Sequence, residues 1–270
     1  MAPTILVVGA TGNTGRSTVT APSQMLKQEG GSSPFAGHRI LALTRSAQSP
    51  AAQHLATLPR VEVLEFNWAD VSERWLREQE VQRAFVASAV DPAQFSTESG
   101  FLLAALRAGV EYVVRISTTA PNTYRETGGK PDGPLRVLAN PDAPIGVIDA
   151  DDIGPIAARL LVHEDLSVHN RGKYTINGPE DVTGREMVAM VEQQIGAPVK
   201  EVSYKDMSYV ETMAAADPEH RTLILSIQHA MEVLWQGGAS AATTSKEILE
   251  IAAPRTTPAA SWEKLLKFLG

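Results

Sequence analysis

A chain of 270 residues, 43% hydrophobic and 20% charged, can bury a full core and reads as one large α/β domain, residues 1–150, with a smaller C-terminal annex, 151–270. Its formal net charge of -7, with no cluster of Lys and Arg, argues against a nucleic-acid or anionic-membrane surface. Zero cysteines exclude disulfides, thiolate metal sites and thiol catalysis, and the six histidines show no ligand-like pairing, so a cytoplasmic protein without a metal is expected.

Residues 4–8, TILVV, are a continuous apolar and β-branched run, the pattern of a strand buried on both faces of a parallel sheet. At four apolar residues, 5–8 are far too few to span a bilayer, and no membrane association is expected. The chain then turns through Gly9, Gly12 and Gly15 into a helix start. In a dinucleotide site Gly9 permits the tight turn, Gly12 lets a pyrophosphate approach the backbone, and Gly15 lets the helix pack on the strand it has just left. Unpaired N–H groups and the positive end of the helix dipole would face that phosphate, with Thr11, Asn13 and Thr14 as short polar groups beside it. The spacing is Gly-x-x-Gly-x-x-Gly, and its force comes from the strand before it and the helix after it; an ordinary strand-to-helix junction is the alternative.

The first helix is expected from about residue 13 to 29, kinked or restarted at Pro22, with a loop at 30–34. A second strand, 39–44, ends in Thr44-Arg45-Ser46. An NAD-preferring site would place an acidic residue here for the ribose 2′-hydroxyl, so a guanidinium with no carboxylate at the strand end favours NADP(H) over NAD(H); a solvated loop arginine is the alternative. The third strand, 61–66, brings Asn67, Trp68 and Asp70 to its carboxyl end, where Asn67 and Trp68 can border an adenine or Trp68 can serve as core or lid. A fourth strand, 84–89, carries small residues, Ala87 among them, that leave room for a nicotinamide ribose. An apolar-faced helix, 95–108, ends at Gly109, and a fifth strand, 110–116, leads to Ser117, Thr118 and Thr119.

The segments GATGNTG (9–15), LALTRS (41–46), VVRISTTA (113–120), IDADDIGPIAARLL (148–161) and YTINGPEDVTGREM (174–187) resemble, in that order, the NmrA-like family of atypical short-chain dehydrogenases/reductases, the fungal members in particular. The resemblance implies a doubly wound parallel sheet, a Rossmann fold, with a small C-terminal α/β annex that covers the cofactor and forms the substrate pocket. It also implies NAD(P)(H) as cofactor. Carried over residue by residue, Gly9, Thr11, Gly12, Asn13, Thr14 and Gly15 fall on the pyrophosphate, Arg45 and Ser46 at the 2′-phosphate, and Ser117 and Thr118 where the wider superfamily keeps a catalytic-site hydroxyl.

One stretch departs from the family pattern. Relatives carry a long helix and a sixth strand after the fifth, and the wider superfamily a Tyr-x-x-x-Lys pair. Residues 120–143 here hold three glycines and four prolines, no sustained helical period, and only an incidental Tyr124 and Lys130. A short strand at 145–148 would follow, then Asp149, Asp151 and Asp152. Asp151 or Asp152 as an N-cap, with Pro155 in the first turn of a helix to 161, accounts for these acids better than a metal ion. Further expected elements are a strand at 173–177, a capping box Thr183-x-x-Glu186 opening a helix that Gly196 closes, and a strand at 200–204. Helices should then open at Asp206 and at Asp217-Pro218, with others at 245–252 and from 258 to 269. In the second of them Leu223, Ile227, Ala230, Met231 and Leu234 recur at helical spacing, as for a core or dimer face.

Two functions are consistent with these residues: an NADP(H)-dependent oxidoreductase acting on a small organic substrate in secondary metabolism, and a cofactor-sensing regulator without chemistry that binds a protein partner. A homodimer fits either. A third reading, an inactive shortened gene product, stays open with the gap at 120–143.

Overall fold

Buried at every position, Thr4–Val8 forms β1, the central strand of a parallel sheet. In the computed structural model, which describes residues 2–29, 34–88, 93–117 and 134–269, there follow α1 (Asn13–Glu29), β2 (Arg39–Thr44), α2 (Pro50–Ala56), β3 (Val61–Glu65), α3 (Glu73–Glu78), β4 (Val81–Val86), α4 (Gln94–Ala108) and β5 (Tyr112–Arg115). The strand order is β3-β2-β1-β4-β5 and every pairing is parallel. Connections leave β1 in one direction and β4 in the other. The loops after these two strands therefore part at the carboxyl edge and open the crevice of a doubly wound α/β fold.

One face of this sheet, with Leu6, Val8, Leu41, Leu43, Ala84 and Val86, packs on Leu76, Phe101 and Ala105 of α3 and α4. Removing such side chains from water is the main favourable contribution, about 1.5–3 kcal/mol for each large one. The outward stripe of α4, Phe95, Leu102, Leu103 and Leu106, stays exposed.

The chain divides into two compact units, one of Met1–Ser117 with Ala150–Lys173, the other of Thr118–Asp149 with Tyr174–Gly270. The division expected at residue 150 assigns α5 (Ala150–Leu161) to the annex, whereas α5 counts with the sheet unit. Its packing explains why: a Cβ at Gly154 would lie 2.4 Å from the Ser17 carbonyl oxygen, and the Ser17 hydroxyl donates to the Ala150 carbonyl at 2.7 Å. At the other end of α5, buried Arg83 donates to the carbonyls of Leu161 and His163 at 3.4 and 3.3 Å, with Glu111 3.3 Å away. The Leu161 carbonyl is the last of the helix, an orphan that a cation satisfies well, and that of His163 lies two residues beyond it.

In the second unit β6 (Leu135–Val137) pairs in parallel with β7 (Val202–Tyr204), and a separate core gathers Val137, Ile145, Val182, Met187, Met231 and Leu234. The helices are α6 (Gly184–Ile195), α7 (Ser208–Ala216), α8 (Arg221–Leu225), α9 (Ile227–Trp235), α10 (Lys246–Ala252) and α11 (Pro258–Leu269). The unit is nearly as large as the first rather than a small annex.

Several expected elements are corrected. Helix α1 does not restart at Pro22 but runs from Asn13 to Glu29 with the proline inside it. β4 occupies Val81–Val86 rather than 84–89, so Ala87 lies beyond its end, and β5 is shorter than 110–116. Residues 145–148 form no strand: Ile145 makes one isolated antiparallel bridge to Val182, while the Gly146 N–H turns away to the Ala239 carbonyl. Nor do 173–177, because the N–H groups of Thr175 and Asn177 go to the hydroxyls of Ser245 and Thr244 instead of a ladder. Asp151 and Asp152 lie in the first turn of α5 rather than capping it, and Pro155 is inside the helix. The helix expected from Asp217-Pro218 is two, α8 and α9, meeting at Ser226.

Candidate functional site

The turn after β1 is built from backbone approaches that leave no room for side chains at two of its three glycines. Gly9 has φ 74°, and a Cβ there would lie 2.1 Å from the Ala87 carbonyl oxygen. The Ala87 N–H donates to the Val8 carbonyl at 3.2 Å and the Ala10 N–H to the Leu43 carbonyl at 3.2 Å, so the turn is held between the ends of β4 and β2. At Gly15, a Cβ would meet the Gly9 carbonyl oxygen at 2.0 Å, which is how closely the first turn of α1 lies on the glycine turn. Gly12 differs. It is exposed, it lies outside the positive-φ region, and its Cβ would meet only the Gly9 carbonyl oxygen at 3.2 Å.

Around Gly12 the first turn of α1 carries no acidic side chain, as a helix start that receives an anion requires. The Thr11 hydroxyl is 3.3 Å from that of Thr44, the exposed Asn13 accepts from Arg16 at 3.2 Å, and the Thr14 carbonyl takes the hydroxyls of Ser17 and Thr18 at 2.9 and 3.0 Å. Thr11, Gly12, Asn13, Thr14 and Gly15 are thus brought together at one helix start beside the end of β2.

Arg45 and Ser46 follow directly on β2, and both are exposed. The Ser46 N–H donates to the Thr44 hydroxyl at 3.2 Å, and Ser49 caps α2 by accepting from the Ala52 N–H at 3.3 Å. The expectation that no carboxylate stands here is corrected. β2 and β3 pair with Thr44 opposite Glu65, and the Glu65 carboxylate accepts the Ala47 N–H at 2.8 Å. Asn67 is exposed, and its side chain accepts the Ala69 N–H at 3.2 Å, which ties it to the turn Trp68–Asp70. Trp68 packs against the core with its ring 6.2 Å from Phe101, so of the roles open to it the core one is occupied.

At the ends of β4 and β5 the structure adds a cluster that the sequence reading missed. Buried Glu98 of α4 accepts from Ser88, from Gln94 at 3.1 Å and from the Arg115 guanidinium. Burial by itself would raise the Glu98 carboxyl, but the hydrogen bonds from Arg115, Ser88 and Gln94, with the Arg115 charge, outweigh it and hold the group below its ordinary value. The cluster locks the start of the loop after β4 to the last residue of β5. Its one sequence signal was an arginine ending an apolar strand and a glutamate ahead of an apolar helical run. Ser117 is exposed just past β5, while Thr118, Tyr124 and Lys130 lie outside the described residues. Among the described residues no three His, Asp or Glu come together as a metal-holding group, and no helix is long and apolar enough to cross a membrane.

A Glu98→Gln variant is expected to lose about 1–3 kcal/mol of stability at neutral pH, because Arg115 keeps its charge and loses its partner. A carboxyl held low contributes stability that is present above its unfolded value and lost as pH falls through its folded one. The gap between parent and variant in thermal melts should therefore close in acid. A gap constant from neutral to acidic pH would show that the charge of Glu98 is not what stabilises.

Comparison with known proteins bears on the same region. The family model described as the NmrA-like family matches residues 1–135. No curated protein sequence matches the chain. Among solved structures, the NADPH-dependent quinone oxidoreductase QOR2 of Escherichia coli, complexed with NADPH, is similar with a TM-score of 0.66 at 21% identity, covering 97% of this chain and 99% of that one. Triphenylmethane reductase of Citrobacter sp., complexed with NADP(H), is similar with a TM-score of 0.59 at 16% identity over 97% of this chain and 99% of that one. The negative transcriptional regulator NmrA in complex with NAD follows with a TM-score of 0.50 at 17% identity, over 75% of this chain and 74% of its own. At these identities the likeness establishes the fold.

Proposed function

The chain belongs to the NmrA-like family, and on that footing we propose that it is an NADP(H)-binding oxidoreductase acting on a small organic substrate in the secondary metabolism of the cytoplasm. The observation that carries the reading is Gly12. Backbone fills the space at Gly9 and Gly15, whereas the fold itself makes little demand at Gly12, so the cradle fits a group that approaches from outside. In this reading the N–H groups of Asn13, Thr14 and Gly15 hold the pyrophosphate, while the Gly12 N–H closes the turn on the Gly9 carbonyl at 3.0 Å and Thr11 lies beside it. Arg45 and Ser46 hold the 2′-phosphate, Asn67 borders the adenine and Ala87 the nicotinamide ribose; NAD(H) is the weaker ligand. Ser117 and Thr118 hydrogen-bond the substrate. When bound, the nicotinamide supplies the hydride chemistry, and the chain supplies orientation and electrostatics. The E. coli and Citrobacter proteins support this reading by the cofactors they hold, and the first of them makes quinones the first substrates to screen.

A second reading, a cofactor-sensing regulator, is favoured by Ser117. Among the described residues its hydroxyl is exposed and hydrogen-bonded to no base. NmrA, a negative transcriptional regulator solved with NAD, shares the fold, and the exposed apolar stripe of α4 is the surface this reading offers a partner protein.

Titration of the purified protein with NADPH and NADH tests the cofactor assignment. NADPH is expected to bind more tightly by about 1–3 kcal/mol, the value of charge-assisted hydrogen bonds from Arg45. Arg45→Ala should remove most of that difference and leave NADH affinity within about twofold. Equal affinities in the parent would sink the assignment of Arg45.

A further inference from the structure

We propose that Glu65 opposes Arg45 in choosing the cofactor, favouring a ribose 2′-hydroxyl and penalising a 2′-phosphate; the inference rests on reading the end of β2 as the adenosine-ribose site. Three observations place the carboxylate there. Strand register sets Glu65 opposite Thr44, the last residue before Arg45, and the Phe66 N–H fixes that register by donating to the Thr44 carbonyl at 3.0 Å. The carboxylate then accepts the Ala47 N–H at 2.8 Å, so it lies against the loop two residues past Arg45. Glu65 and Arg45 are both exposed, and among the described residues Arg45 is ion-paired with no carboxylate.

The Ser46 N–H is held by the Thr44 hydroxyl, the Ala47 N–H by Glu65 and the Ser49 N–H by the Ser46 carbonyl at 3.4 Å. A 2′-phosphate therefore finds these three backbone donors engaged, which puts more weight on the side chains of Arg45 and Ser46. Glu65 consequently acts twice: it takes up a backbone donor that an anion would use, and it adds a negative charge beside the place where the phosphate charge would sit. A ribose 2′-hydroxyl, neutral and able to donate, suffers neither effect. Adjacent charges in a water-exposed setting interact modestly, so the expected size is about 3- to 10-fold in affinity.

The test uses the full chain, with NADPH and NADH titrated separately into parent and Glu65→Gln. Glutamine keeps an oxygen for the Ala47 N–H, so the loop should hold and the melting temperature should stay within a few degrees. The proposal expects NADPH affinity to rise about 3- to 10-fold, NADH affinity to move less than twofold, and the gain to shrink as salt is raised from low to high ionic strength. Glu65→Lys serves as a second variant, with a larger gain in the same direction. An unchanged ratio of NADPH to NADH affinity in both variants, with Arg45→Ala still lowering NADPH affinity, overturns the role of Glu65 alone. No binding of either cofactor by the parent overturns this inference together with the site beneath it.

Discussion

A Gly12→Val variant is expected to fold as the parent does and to lose binding of both NADPH and NADH by at least roughly 100-fold, the value of about 3 kcal/mol of phosphate contacts. The new Cβ meets one atom, the Gly9 carbonyl oxygen at 3.2 Å, which a shift of a few tenths of an ångström (about the slack of a turn) relieves. No positive φ opposes the substitution. A branched residue preceding the first turn of α1 is a poor cap, so a loss of about 1 kcal/mol is expected, or about 2–4 °C in the melting temperature. Two methyl groups would stand where the proposed site brings the pyrophosphate to the helix start, and no rearrangement short of moving the turn removes them. Gly15→Val makes the contrast: its Cβ would lie 2.0 Å from the Gly9 oxygen and 2.7 Å from the Gly9 carbonyl carbon, both backbone, so the strand and helix must separate. That variant should lose about 3 kcal/mol or more and express as largely unfolded protein. Thermal melts and cofactor titrations of the two variants side by side separate the roles. Retained binding by Gly12→Val would place the phosphates elsewhere, and a collapse of its melting transition would make Gly12 a folding residue.

The contrast between these glycines was half legible in the sequence. The strand, the glycine turn and the helix that follows are local patterns, and β2 and the capping box of α6 fall where composition places them because their signals lie within a few residues. What depended on remote partners was not legible. β6 and β7 join residues 135–137 to 202–204, and neither run carries a sign of the other. Residues 173–177 have the look of a strand but their N–H groups are taken by Ser245 and Thr244, some 70 residues away, so composition without a neighbour misled. The same holds in the candidate site. Glu65 reaches the loop after β2 only because of the register between two strands, and Ser88, Glu98 and Arg115 meet only because α4 crosses over the ends of β4 and β5. A glutamate twenty residues beyond Arg45 in the chain gave no hint that its carboxylate reaches the loop just past that arginine.

Turnover is the point at which the two functional readings diverge most, and slow turnover is the expected result. Reduction of a carbonyl or quinone needs a proton as well as a hydride, and a good donor has a pKa near the working pH. Ser117 is exposed at the end of β5, where an alkyl hydroxyl is a weak acid, and among the described residues nothing is hydrogen-bonded to it that would change this. Tyr112, the one tyrosine of β5, directs its hydroxyl to the His169 carbonyl at 3.3 Å, as a structural contact of the strand with the segment after α5. With water as the proton donor, positioning by the hydroxyls proposed for the substrate, Ser117 and Thr118, would contribute one or two neutral hydrogen bonds, about 1 kcal/mol each. NADPH oxidation with quinones and enones should accordingly run well below the ~10 s⁻¹ typical of enzymes, and Ser117→Ala with Thr118→Ala should lower it by less than about tenfold. Fast turnover, lost by more than roughly 100-fold in the double variant, would show that these hydroxyls are catalytic after all and that a donor acts through them. Firm cofactor binding with no turnover across the screen would instead favour the sensor, since a chain that holds NADP(H) and orients no acceptor can still report the state of its cofactor to a partner.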